Sequence, residues 1–290
     1  MMRGPATVTM GMGALLLGSS PVQAQMFNNF AGNSAMSRLM LAPVVDQANR
    51  VVAQRQQNVL VASPNAEAIS KFTVSRQRRA YNLAQFVAKS RQVDPQGAAE
   101  MEKLFEQGDF FDSLASELRP YGLRVDNLAD AYAVYWVNAW QAAHSDTSDQ
   151  SRQTMRLVRQ QALAAITSTP QVAKASDAEK QELAEALLLQ GALLSQVNQK
   201  YANDTAVGPK LRRAVRQGAS GIGLDLDAMT LTENGFVPAD RRGAVVGDKG
   251  TALADSGATA SQPPYGLLAA AGGAGFAAVY LIGRAAGRRG

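Results

Sequence analysis

Residues 128–140 read Leu128-Ala-Asp-Ala-Tyr132-Ala-Val-Tyr135-Trp136-Val-Asn138-Ala-Trp140, and the spacing within them decides the fold class. Tyr132, Tyr135, Trp136 and Trp140 recur at i, i+3, i+4 and i+8, which places all four on one face of an α-helix. Both tryptophans of the chain lie here. Such a stripe reads as the central core helix against which other helices pack. The competing use is a platform on which a sugar stacks. Asn138 interrupts the apolar run between Trp136 and Trp140, and a buried amide must find hydrogen-bond partners. It fixes helix register in the first reading and binds ligand in the second.

Working outward, helix punctuation is dense on both sides. Upstream, a helix is predicted over about 75–92, with Ala80, Leu83, Phe86 and Val87 at helical spacing. Asp94-Pro95 is an N-cap followed by proline at the first helical position, opening a second helix with Met101, Leu104 and Phe105. Gly108-Asp109 stops it and caps a short third helix carrying Leu114 and Leu118, which Pro120-Tyr121-Gly122 ends. Asp126 caps the central helix, predicted over 127–144, with His144 placed at its terminal carbonyls. Downstream, Asp149 or Ser151 opens a fifth helix and Pro170 closes that segment. Ser176 and Glu179 form a capping box for a long sixth helix reaching Tyr201. Pro209 starts a seventh, stopping at Gly218. Residues 224–231 are the one strand candidate. The expected fold is all-α, an antiparallel bundle of about six to seven helices over 72–238. Residues 25–71 form a partly helical N-terminal segment, helical over 44–57 after Pro43.

The two ends speak to location. Met1-Met2-Arg3, an apolar run over 6–18, and small residues at Val22 and Ala24 give the three-part pattern of a signal peptide over 1–24, cleaved between Ala24 and Gln25. At the other end, no charge interrupts the stretch from Asp255 to Arg284. Residues 265–283, as a helix about 28 Å long, reach across a bilayer. Tyr265 and Tyr280 sit toward the interfaces, and Arg284, Arg288 and Arg289 hold the tail over 284–290 in the cytoplasm. Gly266, Ala270, Ala274 and Ala278 form a small-residue ridge suited to self-association in lipid. A processed sorting tail has the same layout, although Gly272-Gly273 inside the helix argues against it. Residues 239–264 lack apolar periodicity and read as a flexible linker. These signals together imply a bacterial inner-membrane protein with a single span and a periplasmic domain.

Composition removes several chemistries. The 290 residues hold 46% hydrophobic and 18% charged residues, no cysteine and one histidine. That excludes disulfides, thiol catalysis and Cys-ligated zinc, so no metal site or cofactor is expected. The net charge of +5 suggests nucleic acid at first sight. Arg3, Arg284, Arg288 and Arg289 belong to the signal and anchor, however, and the remainder is nearly balanced. It is bipolar, with eight basic residues against Glu67 alone between Arg50 and Arg91, then an acidic block over 92–149. Opposite blocks of this kind pair within a fold or solvate helix faces, and no nucleic-acid partner is expected.

Arg78-Arg79-Ala80-Tyr81, Tyr135-Trp136-Val137-Asn138-Ala139-Trp140 and Gly235-Phe236-Val237-Pro238 carry a resemblance, over about residues 72–238, to a family of uncharacterised, mostly signal-bearing bacterial proteins. The resemblance implies a helical extracytoplasmic domain and transfers no catalytic residue. As an acid for murein cleavage, Glu117 is the least implausible carboxylate, but the Glu-Ser order and Gly-rich motifs of lysozyme relatives are missing. Asp109 and Asp112 read as helix-start residues, Gly218 to Gly223 as a helix stop, and Arg212, Arg213 and Arg216 as a solvated face. The expected function is an exported, membrane-tethered module that binds or scaffolds a protein partner. The alternative is a cell-wall glycan-binding or glycan-cleaving protein using Tyr132, Tyr135, Trp136, Asn138 and Trp140.

Overall fold

The computed structural model describes residues 35–54, 64–106 and 110–240. Among them are ten α-helices: α1 (Ala35–Ala53), α2 (Pro64–Ser70), α3 (Arg76–Val93), α4 (Pro95–Glu106), α5 (Phe110–Leu118), α6 (Leu128–His144), α7 (Arg152–Thr167), α8 (Pro170–Lys174), α9 (Asp177–Tyr201) and α10 (Gly208–Gly221). A hairpin of β1 (Met229–Thr232) and β2 (Gly235–Pro238) follows a 3-10 turn at Leu226–Ala228. The protein is therefore mostly helical rather than all-α.

α6 is the centre of the molecule. It packs most extensively on α9 and also on α7 and α10. Alanines at 129, 131, 133, 139, 142 and 143 are all buried, so burial extends around the helix rather than along one stripe. Close approach is visible at Gly191 of α9, where a Cβ would meet the Val134 side chain at 3.0 Å and the Tyr135 backbone at 3.4 Å. The missing side chain at Gly191 allows that contact.

Local signals set the helix ends. Ser75 Oγ accepts from Arg78 N, Ser151 caps α7, and Ser176 with Glu179 forms a complete capping box on α9. Asp94 Oδ1 accepts from Gly97 N at 2.9 Å, holding the α3–α4 junction. Gly122, with φ +76°, terminates the 3-10 turn after α5 in the left-handed region where glycine carries no Cβ penalty.

Several boundaries differ from the sequence reading. The N-cap of α6 is Asn127, whose Oδ1 accepts from Ala129 N and Asp130 N, while Asp126 pairs with Arg124 instead. Pro170 does not close a segment; it starts α8, as its fixed φ suits a first helical turn. α10 continues through buried Gly218 to Gly221. α1 runs through Pro43. The proline removes the bond to the carbonyl four residues back, but Leu39 is exposed there, and Met40, Leu41, Val44, Val45, Ala48 and Val52 pin the helix to the core. Residues 40–52 thus share one core with the helices of 72–238. The predicted strand over 224–231 is split, because Asp225 Oδ1 caps the turn at Asp227 and Ala228 before β1 begins. No helix among the described residues is long and apolar enough to cross a membrane. The predicted span over 265–283 lies outside those residues, as does the predicted signal peptide.

Candidate functional site

The aromatic face of α6 closes against the hairpin. Tyr132 and Trp136 are fully buried and Tyr135 nearly so. Trp136 stacks on Phe236 at 4.4 Å between centroids, and its Nε1 donates to Met229 Sδ at 3.1 Å. Trp140, half-buried, donates from Nε1 to the Met229 carbonyl at 3.0 Å and stacks on His144. Burial pushes the phenols of Tyr132 and Tyr135 well above the usual range. Asn138 is half-buried and donates to the Val134 carbonyl at 2.8 Å on its own helix, so its amide is satisfied locally. His144 Nδ1 meets the Trp140 carbonyl at 2.8 Å, as expected for a helix end. Gln161 of α7 locks the hairpin. Its Nε2 donates to Phe236 O at 2.7 Å, and its Oε1 accepts from Phe236 N at 2.9 Å. Gly235, with φ +81°, keeps that approach open, since a Cβ would lie 2.8 Å from Gln161 Oε1.

Two buried carboxylates dominate the electrostatics. Asp130, on α6, is fully buried. It accepts from Arg124 N at 2.9 Å and from Arg159 Nε. Arg159 then grips Glu67 of α2 through both terminal nitrogens at 2.8 Å each, the bidentate geometry that suits a carboxylate. Burial raises Asp130 to about 6, against the opposing pull of Arg159. Arg159 holds Glu67 below its ordinary value. The network ties α2, α6 and α7 together.

Glu185, on α9, is the second. It is 1% exposed. Arg79 Nε donates to its Oε1 at 2.9 Å, Asn82 Nδ2 to its Oε2 at 2.7 Å, and Gln181 Nε2 to its Oε1 at 2.9 Å. Gln181 also exchanges two bonds with the Ser75 backbone, and the Arg79 guanidinium lies 4.5 Å over the Phe111 ring. Above this network opens a cleft of about 120 Å³ between α3 and α9, edged by Arg78, Tyr81, Gln85 and Glu182. Tyr81 is 54% exposed. Phe86 and Leu189 form an apolar floor shared with a smaller apolar dimple beside Met101, Leu104 and Phe110. Asn82 Oδ1 is enclosed and has no hydrogen-bond partner among the described residues. The bond from Nδ2 to a carboxylate fixes the amide orientation, since only the nitrogen can donate.

The other sequence candidates do not join this cleft. Glu117 and Asp112 are exposed on α5, although partial desolvation raises the Glu117 carboxyl. Arg212 donates to Ser145 Oγ at 2.8 Å, Arg216 pairs with Asp227 at 2.8 Å, and Arg213 is exposed. Asp109, Ala24, Gln25, Tyr265, Arg284, Arg288, Arg289 and the ridge at Gly266, Ala270, Ala274 and Ala278 lie outside the described residues.

A family model described as a family of unknown function, DUF6683, matches residues 11–238. The chain belongs to DUF6683. The DUF6683 match takes in α1 and α2 and ends at Pro238, the last residue of β2. Neither a curated protein nor a solved structure matches the chain. Within the DUF6683 segment, the residues that sequence reasoning passed over are Asp130, Arg159, Asn82 and Glu185. Two signals were present. Asp130 is an acid inside the apolar run of α6, and Arg79 follows Arg78 in the quoted Arg-Arg-Ala-Tyr stretch.

Proposed function

We propose that this DUF6683 protein is an exported cell-envelope protein whose helical domain binds a protein partner in the bacterial periplasm, held to the inner membrane by the segment over 265–283. The signal pattern over 1–24, the uncharged stretch between Asp255 and Arg284 and the terminal arginines support export and anchoring. The observation that carries the binding role is the cleft between α3 and α9. It combines an exposed tyrosine, a cation, an anion and an apolar floor on two long helices, and rigid elements of this kind present a preformed recognition surface. We place recognition here rather than on the Tyr132 to Trp140 face, because three of those four rings are enclosed by the fold and a stacking platform needs an open ring.

The test is topology combined with intact mass in a Gram-negative host. A membrane-bound product running from Gln25 to Gly290, with its domain open to periplasmic protease, is the expected result. A cytoplasmic full-length product overturns the reading from both ends, and a soluble product shortened by about twenty residues at the C-terminus overturns the anchor.

A further inference from the structure

We infer that the cleft between α3 and α9 is a side-chain pocket that receives a tyrosine from the partner protein, with the phenol hydroxyl donating to Asn82 Oδ1. The inference rests on the protein-binding reading above and adds the chemistry of what is recognised.

Size comes first. A cavity of about 150 Å³ accommodates one benzene, so about 120 Å³ seats most of one six-membered ring, with its edge left in the open mouth. The floor suits a ring face, because Phe86 and Leu189 are buried carbon surface. Charge comes second. The lining carries Arg78, Glu182 and Glu185, and Arg79, just outside it, neutralises Glu185, so the charges balance and a neutral occupant is favoured over a lysine or a carboxylate. The third observation selects a donor. Asn82 Oδ1 is enclosed and without a partner, and an unpaired buried acceptor costs about 1–3 kcal/mol. Its nitrogen is committed to Glu185, so the amide cannot turn to donate without breaking that bond. A neutral ring bearing one hydroxyl donor satisfies all three conditions, and tyrosine is among the side chains most used as an interface anchor. Oδ1 is itself enclosed although its residue lines the cleft, so the lining side chains shift as the ring enters. An apolar neighbour of the tyrosine rests against the apolar surface of Met101, Leu104 and Phe110 beside it.

The experiment uses the full chain in detergent micelles and NMR titration with three probes: the dipeptides acetyl-Leu-Tyr-amide and acetyl-Leu-Phe-amide, and N-acetylglucosamine. The tyrosine peptide is expected to shift the Asn82 side-chain amide and the Gln85 backbone amide, with the phenylalanine peptide at least tenfold weaker. In Asn82→Leu the two peptides become equal, a readout that loss of stability alone does not produce. In Arg213→Ala, an exposed change on α10 away from the cleft, the tyrosine preference persists because Oδ1 remains. Equal binding of both peptides to the native chain, binding of neither, or binding of the sugar without the tyrosine peptide overturns the inference. A correctly exported and anchored protein that fails these titrations leaves the protein-binding reading standing; a cytoplasmic one removes that reading whatever the titrations give.

Discussion

Asp130 and Glu185 are both buried carboxylates paired with an arginine, yet their surroundings differ. Asp130 is closed on every side: a backbone N–H, the Arg159 fork and, through it, Glu67 complete a chain of contacts linking three helices. Around Glu185 the donors are supplied by side chains, one of which keeps an unpaired acceptor beside an open cleft. Burial of an ion pair is weak evidence of function by itself. What separates a fastening from a recognition floor is the polar capacity left over and the space next to it.

The contrast can be broken most severely at Arg159. Arg159→Ala strands the buried Asp130 charge, and a loss of about 3–5 kcal/mol is expected in urea unfolding at pH 7. A loss below 1 kcal/mol would mean that water already reaches Asp130. The pH profile is the second lever. Folded Asp130 holds its proton up to about pH 6, whereas an unfolded aspartate releases it near pH 4. The folded state therefore binds the extra proton between those values. Asp130 contributes stability that is full below about pH 4 and lost as pH rises through 6, on the order of 2–3 kcal/mol. Glu67 leans the other way, being held low by Arg159. The Asp130→Asn variant lacks the descending slope, and a carbon-detected carboxyl titration locates the midpoint directly.

A milder change belongs to the other network. Glu185→Gln keeps the size and an acceptor but loses the charge facing Arg79, and about 1–2 kcal/mol is expected from thermal unfolding. The cost stays moderate because the Arg79 guanidinium still rests on the Phe111 ring. Least of all is expected of Tyr81→Ala. The side chain is more than half exposed and touches Arg78 only through a cation–π contact, so stability should shift by less than about 0.5 kcal/mol. A larger drop would show that Tyr81 serves the core and not the cleft.

Much of the helical frame was legible because helix ends are written in short, local chemistry. Ser75, Asp94-Pro95 and Ser176 with Glu179 mark their helices unaided. The stripe of aromatic residues also announced the central helix. Where local marks conflict with distant packing, packing prevails: α1 continues across Pro43 because six apolar side chains hold it down, and no nearby residue reports that. The hairpin was half visible, since the side chain that locks it is Gln161 of α7, seventy-five positions away in the chain. The site was least legible. Arg79 meets Glu185 across more than a hundred positions, and Glu67 finds Arg159 across ninety-two. Charge blocks counted along the chain do not reveal such pairs; Arg91 with Glu102 is a surface exception.

The hairpin has a mechanical consequence. Tension applied to the chain beyond Asp240 enters the folded body through β2. It must first part the bond from Ala239 N to Ala228 O at 2.9 Å, then draw Phe236 away from Gln161 and from the Trp136 ring. Because Trp136 lies on α6 and Gln161 on α7, these contacts pass the load to both helices. The hairpin is thus the point where pulling first enters the core, and the rate at which it parts sets when tension begins to open the domain.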